Sequence, residues 1–109
     1  MRYICLTGFL ALALASGAPY EAAAQSKFFS FETNTDRAGS DFRNTESPGP
    51  NECSFACQLE NQCHAWTFVK PGVQGPSARC FLKTAIPQAR RDNCCTSGAR
   101  KGAPVRIDR

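Results

Sequence analysis

The chain has 109 residues, 42% of them hydrophobic and 20% charged, and 13 basic residues against 9 acidic ones give a net charge of +4. This length leaves room for one small core, and the apolar content is that of a globular domain rather than a disordered or fibrous chain. We therefore expect a single domain, and neither a multidomain scaffold nor a large multi-substrate enzyme.

The N-terminal segment has the features of a secretory signal peptide. Arg2 is followed by an apolar run over residues 4–18, and small residues up to Ala24 offer a cleavage site before Gln25. The alternative is a transmembrane anchor, which needs about 20 apolar residues, more than this run contains. We expect cleavage after Ala24 to release a secreted or periplasmic protein with no transmembrane segment.

Loss of residues 1–24 would remove Cys5 and leave an even number of cysteines. An exported chain with paired cysteines is typical of a disulfide framework. A core of this size is marginal, so cross-links worth about 2–4 kcal/mol each would matter for stability. The six remaining cysteines are Cys53, Cys57, Cys63, Cys80, Cys94 and Cys95.

The segment before the first proline-rich break predicts two short strands. Residues 28–33 are aromatic and partly alternating, and residues 40–43 form a second, polar-flanked candidate. A turn is predicted between them, at residues 34–39. Residues 47–50, with two prolines and a glycine, then interrupt the chain.

A short helix is predicted to begin at Pro50, whose fixed φ suits a first helical position, and to end near Asn61. Cys53 and Cys57 lie four residues apart and so emerge on one face of this helix. Three turns of helix are not stable alone in water. We therefore expect the two cysteines to tie the helix to another element.

The next segment reads as a hairpin. Residues 64–69 are rich in aromatic and β-branched side chains, residues 70–77 form a loop rich in proline and glycine, and residues 80–83 form the return strand. Trp66, in the middle of the first strand, is interpreted as core rather than as a ligand-stacking platform. Residues 94–98 are predicted to form a tight segment, and residues 102–109 a basic tail.

Catalytic and cofactor-binding motifs are missing from the sequence. His64 is the single histidine, and its neighbour Cys63 would point to the opposite face of a strand, which rules out a paired thiolate and base. No pair of carboxylates has a spacing that suggests glycoside hydrolysis, and no glycine-rich phosphate loop follows a strand. We expect a protein that is not an enzyme and that carries no cofactor.

Zinc binding is the alternative for the first cysteines. Cys53, Cys57, Cys63 and His64 have a spacing within the range of small zinc sites. The export signal, the even cysteine count and the adjacent cysteines at 94–95 argue against it. The sequence therefore favours disulfides over a metal site.

Positive charge is concentrated in the C-terminal third. Residues 25–77 have a net charge of −2 and residues 78–109 a net charge of +6. This asymmetry suits an anionic partner, such as an acidic saccharide, but also an ordinary solvated surface, and export disfavours nucleic acid. If the patch is functional, its side chains should converge on one side of the domain. The candidate ligand-binding residues are Arg79, Lys83, Arg90, Arg91, Arg100 and Lys101.

Three sequence stretches together carry a family resemblance. They are ECSFAC at residues 52–57, QCHAWTF at 62–68 and ARCFLK at 78–83, preceded by DRAGSDF at 36–42. This combination resembles the PAN/Apple domain. The resemblance implies an α+β fold over residues 25–101, with a curved antiparallel sheet of about five strands, one crossing helix and disulfide staples.

The resemblance also implies the pairs Cys53–Cys80 and Cys57–Cys63. Cys94 and Cys95 are then left for each other or for a partner chain. Family members bind proteins or carbohydrates, often through variable loops such as residues 70–79, with no catalysis in the module. The resemblance thus implies a secreted, non-catalytic module for protein–protein or protein–carbohydrate interaction. The alternative is a structural or inhibitory accessory subunit of a larger envelope protein.

Overall fold

The computed structural model describes residues 27–102, so the predicted signal peptide with its predicted cleavage site after Ala24, Cys5 and the predicted tail beyond residue 102 lie outside the described residues. Within this range the elements are β1 (Glu32–Asp36), β2 (Asp41–Glu46), α1 (Pro50–Gln58), β3 (Ala65–Val69), β4 (Arg79–Lys83) and β5 (Arg90–Ala99). The strands form one antiparallel sheet in the order β1-β5-β3-β4-β2. No helix between residues 27 and 102 is long and apolar enough to cross a membrane.

The helix α1 begins at the predicted residue. Pro50 occupies its first turn, where the missing N–H costs nothing, and Glu52 adds a negative charge that the helix dipole favours. It ends before the predicted Asn61, because the N–H of Glu60 donates to the carbonyl of Cys57 at 3.1 Å, which tightens the last turn.

Trp66 lies at the centre of the hydrophobic core. Its side chain is fully buried, and the ring of Phe31 lies 5.5 Å from it at an interplanar angle of 60°. Phe29, Phe68 and Leu82 belong to the same cluster. The interpretation of Trp66 as a core residue is confirmed.

The first strand lies further along the chain than predicted. Strand β1 covers Glu32–Asp36 rather than residues 28–33, and so takes up part of the predicted turn at 34–39. Phe29 is 1% exposed and forms an isolated bridge with Arg100, so the aromatic stretch mainly fills the core. Asn34, with φ of 52°, takes the left-handed conformation within the strand.

Strand β5 is the largest departure from the prediction, because a tight segment was expected at residues 94–98. It lies between β1 and β3, and polar side chains make its inner contacts. The fully buried Ser97 accepts a hydrogen bond from Thr67 at 2.7 Å and donates one to the carbonyl of Thr35 at 2.9 Å. A strand buried through such pairs has no hydrophobic alternation to reveal it.

Candidate functional site

Disulfides hold the helix against the sheet. Two of them start from α1, one reaching β4 and the other the turn before β3, with Cα–Cα distances of 5.4 Å and 5.3 Å. The third joins two neighbouring residues of β5. The pairs are Cys53–Cys80, Cys57–Cys63 and Cys94–Cys95.

The first two disulfides agree with the pairs implied by the resemblance, and the third is one of the two alternatives that the sequence left open. The three cysteines of the zinc alternative are all engaged in disulfides. The remaining member of that set, His64, has its Nδ1 atom 3.0 Å from the carbonyl oxygen of Thr84.

The candidate basic residues lie apart from one another. Arg90 pairs with Asp36 and Arg100 bridges to Phe29, seven residues earlier, so the two basic residues lie at opposite ends of β5, up to about 23 Å apart at roughly 3.3 Å per residue. Arg91 lies beside Arg90, and Lys101 follows Arg100 at the other end. The structure therefore does not bring the six residues together on one surface.

Three of these basic residues are held by specific contacts. Arg100 donates from Nε and Nη2 to the carbonyl of Cys63 at 3.3 Å and 2.7 Å. The Arg79 guanidinium donates to the side-chain oxygen of Asn44. Lys83, only 2% exposed, is buried within the domain. Arg90, Arg91 and Lys101 are exposed at the surface.

A groove runs along the sheet face that points away from the helix. Side chains alternate along β4, so Cys80 and Leu82 join the core under α1 while Phe81 and Lys83 face the other side. Two cavities of about 140 Å³ and about 460 Å³ lie there, and they share Gln74 and Phe81 in their walls. We call these adjoining cavities the sheet groove. Its polar and aromatic lining includes Asp36, Asp41, Thr67, Gln74, Phe81, Lys83, Asn44, Glu46 and Arg79.

Two connecting segments form the walls of the sheet groove. The link between β1 and β2 passes through Gly39 at φ of 104° and Ser40 at φ of 63°, a sharp reversal that glycine permits. The loop before β4 is closed by a hydrogen bond from the Gly72 N–H to the Gly75 carbonyl at 2.7 Å. Both walls are thus built by turns rather than by extended chain.

Of the three charged side chains in the smaller cavity, two pair with each other and the third has no partner among the described residues. Lys83 Nζ donates to Asp41 Oδ1 at 2.5 Å and to the Gly39 carbonyl at 3.1 Å, so its charge is compensated. The half-buried Asp36 carboxylate, in contrast, makes no hydrogen bond or ion pair with another residue of the described range 27–102. The lining therefore offers a free carboxylate and, from another strand, the half-buried ring of Phe81.

Sequence reasoning identified only part of this site. Of the predicted ligand-binding residues, Lys83 and Arg79 line the sheet groove, whereas Asp36 and Phe81 were missed. The available signal was the alternation of the return strand, in which Phe81 and Lys83 occupy the face opposite the disulfide-bonded Cys80.

An apolar pair lies on the outer surface of α1. Phe55 and Leu59 are 57% and 68% exposed and stand one helical turn apart. Neither contributes to the core, which the helix reaches through its buried cysteines.

Comparison with known proteins identifies one family. The family model described as PAN domain matches residues 35–83, from the end of β1 to the end of β4. No curated protein and no solved structure shows a match to the chain. Residues 35–83, with the helix and both disulfides that involve it, belong to the PAN domain family.

Proposed function

We propose that this protein is an extracytoplasmic, non-catalytic binding module whose sheet groove recognises a saccharide. PAN domains are in general protein- or carbohydrate-binding modules. The observation that carries the saccharide assignment is that the free Asp36 carboxylate and the ring of Phe81 line one cavity. Small-molecule sites combine such an apolar surface with a few fixed polar groups.

Each side chain has a distinct role in this proposal. The Asp36 carboxylate can accept two hydrogen bonds from neighbouring sugar hydroxyls. Gln74 supplies both a donor and an acceptor, and the Phe81 ring offers an apolar surface to the C–H face of the sugar. Lys83 orients Asp41 and the Gly39 carbonyl, since it is bound to both.

Charge favours a neutral saccharide over an acidic one. The smaller cavity contains two carboxylates and one ammonium, a net charge of −1. The exposed Arg90 and Arg91 do not line it, although Arg90 lies opposite Asp36 in the ladder between β1 and β5. An acidic polysaccharide bound at those arginines alone would show the strong salt dependence of exposed ion pairs.

The ion pair between Asp41 and Lys83 in the smaller cavity supports binding without catalysis. Glycoside hydrolysis usually requires two carboxyl groups that are free to act as acid, base or nucleophile. In the smaller cavity Asp41 is engaged by Lys83, which leaves Asp36 without such a counterpart there; Glu46 lines the other cavity of the sheet groove.

The proposed function requires that the protein is exported from the cytoplasm. The signal-peptide features of residues 1–24 and the disulfides of the domain both support a periplasmic or secreted protein cleaved after Ala24. The mass of the exported protein should correspond to a chain that begins at Gln25. A protein that retains residues 1–24 would contradict this proposal.

The test of saccharide binding is a comparison of immobilised glycans. The exported protein should be retained on neutral glycans to the same extent at low and at high salt. Retention confined to sulfated or carboxylated glycans and abolished by salt would instead assign binding to the arginines and overturn the role of the sheet groove.

A second function, that of an accessory subunit in a larger envelope assembly, is supported by the exposed pair Phe55 and Leu59. Exposed apolar side chains one helical turn apart suit a protein interface. A photo-crosslinker at position 55 should then capture an envelope protein, whereas one at the exposed Asn51 of the same helix should not. Equal labelling from both positions would exclude this function.

A further inference from the structure

Strand β5 makes a wide bulge where it passes β1. Between the paired positions Thr33↔Thr96 and Thr35↔Arg91, β1 advances by two residues and β5 by five. The extra residues include the Cys94–Cys95 disulfide. A bulge of this kind redirects side chains, and bulges are common next to functional sites.

Hydrogen bonds fix the backbone of this bulge. The Asp92 carboxylate accepts the N–H of Cys94 at 3.0 Å, and the N–H of Lys70 donates to the carbonyl of Cys94 at 3.0 Å. On the other side Cys95 remains paired with Val69 of β3. The two sulfurs therefore lie at a defined place between three strands.

A carboxylate from β1 completes a cluster around these sulfurs. Oxygen of Asp36 and the Sγ atoms of Cys94 and Cys95 all lie within 4.8 Å of one another. Asp36 has no other partner in the described range, and it and Cys94 are half-buried, so solvent reaches the cluster. Two cysteine sulfurs and one carboxylate are a ligand set for a metal ion once reduction has separated the sulfurs as thiolates.

The adjacent cysteines differ from the other two disulfides in the distance between their Cα atoms. Neighbouring residues hold their Cα atoms 3.7 Å apart, below the usual range of about 4.4–6.8 Å for disulfides, whereas the other two pairs fall within it. Disulfides with unfavourable geometry are reduced at higher potential. A small-molecule thiol should therefore open Cys94–Cys95 first.

We propose that Cys94, Cys95 and Asp36 form a redox-gated site for a thiophilic divalent cation. Two molecules of a small-molecule thiol reduce the S–S bond. The thiol sulfurs join as a disulfide, and their two protons pass to Cys94 and Cys95. A cation such as Zn²⁺ or Cd²⁺ then displaces these protons and binds two thiolates and one carboxylate oxygen. Exchange with a small-molecule disulfide, which takes up the two electrons and leaves as two thiolates, restores the Cys94–Cys95 bond and releases the cation.

The experiment uses the exported protein, a graded small-molecule thiol and Cd²⁺, whose thiolate complexes absorb in the ultraviolet. At thiol concentrations that free two thiols per chain, peptide mapping should place both at Cys94 and Cys95. One Cd²⁺ should then bind per chain with thiolate absorption. After the small-molecule thiol has been removed by anaerobic gel filtration, the untreated protein and the double variant Cys94→Ser/Cys95→Ser should show no such band.

The role of the carboxylate is tested by a matched pair of variants. Asp36→Asn should weaken Cd²⁺ binding roughly tenfold or more. Asp92→Asn removes a charge next to the Cys94 backbone but keeps the acceptor for Cys94, and it should change the affinity less than about twofold. Near-ultraviolet circular dichroism of each variant checks that the fold is intact.

Three outcomes would overturn the proposal. The first is simultaneous reduction of all three disulfides, which would remove the redox gate. The second is a reduced protein that binds no more Cd²⁺ than the double serine variant. The third is equal affinity of Asp36→Asn and Asp92→Asn, which would show that Asp36 is not a ligand.

Discussion

Gly98 lies directly opposite Trp66 in the ladder between β5 and β3, and the indole of Trp66 fills the space that a side chain at position 98 would need. A Cβ there would also overlap the carbonyl oxygen of Ser30. Because Trp66 is fully buried at the centre of the core, it has nowhere to move. The position of β5 in the sheet thus depends on a glycine as much as on hydrogen bonds.

Replacing Gly98 with Ala should therefore lower the free energy of unfolding by about 2–3 kcal/mol, the cost of overpacking a rigid core. Urea denaturation of the oxidised protein measures this. Gly49→Ala is the matched control, because the added methyl meets only the flexible Glu52 side chain, and its cost should stay below about 1 kcal/mol. Equal stability of the wild type and Gly98→Ala would show that β5 does not pack as described.

The two disulfides of α1 should contribute unequally to stability. The chain-entropy estimate is about 3.5 kcal/mol for Cys53–Cys80, with a sequence separation of 27, and about 2 kcal/mol for Cys57–Cys63, with a separation of 6. The corresponding double alanine variants, compared by urea denaturation, should show this order. A larger loss for the shorter loop would mean that packing rather than loop closure dominates.

Removal of Asp41 should destabilise the fold more than removal of its partner, the buried Lys83. Asp41→Ala leaves an ammonium at 2% exposure with one carbonyl partner, whereas Lys83→Met leaves a carboxylate that water still reaches at 38% exposure. We expect a loss of about 2–3 kcal/mol for Asp41→Ala, less than for a fully buried pair, and a smaller loss for Lys83→Met. The opposite order in thermal unfolding would contradict this account of the pair.

Arg100 should contribute to the stability of the fold, whereas Arg90 and Arg91, which are exposed, should not. Arg100 bonds the Cys63 carbonyl and lies 4.8 Å from the ring centroid of Phe29. Arg100→Gln should thus cost about 1–2 kcal/mol. The double variant Arg90→Gln/Arg91→Gln should remain within about 0.5 kcal/mol of the wild type. Similar thermal midpoints for all three proteins would place Arg100 with the surface residues.

Sequence patterns predicted the elements that carry strong local signals. Pro50 and the spacing of Cys53 and Cys57 indicated α1, and the aromatic alternation around Trp66 indicated β3. Strand β5 escaped prediction, because its burial depends on Ser97 and on a glycine rather than on apolar residues. Contacts between polar residues distant in sequence leave no periodicity to read.

The candidate site was predicted less well, for a related reason. The excess of positive charge in the C-terminal third led to the prediction of a basic binding surface. A count of charges does not say where the side chains lie in the fold, and Arg90 and Arg100 lie at opposite ends of β5. The sheet groove instead combines Asp36, from β1, with Phe81, from β4. Only the strand order and register, which the sequence pattern does not specify, bring these two residues to one cavity.

The most direct test of the central claim is a titration of a neutral glycan retained by the exported protein, compared across two variants. Asp36→Asn removes the free carboxylate of the sheet groove and should reduce affinity at least about tenfold, because a hydrogen-bonding site that loses a buried polar partner discriminates strongly. The double variant Arg90→Gln/Arg91→Gln, which leaves the sheet groove unchanged, should bind within about twofold of the wild type. Undiminished affinity of Asp36→Asn together with loss of binding in the arginine variant would contradict the account.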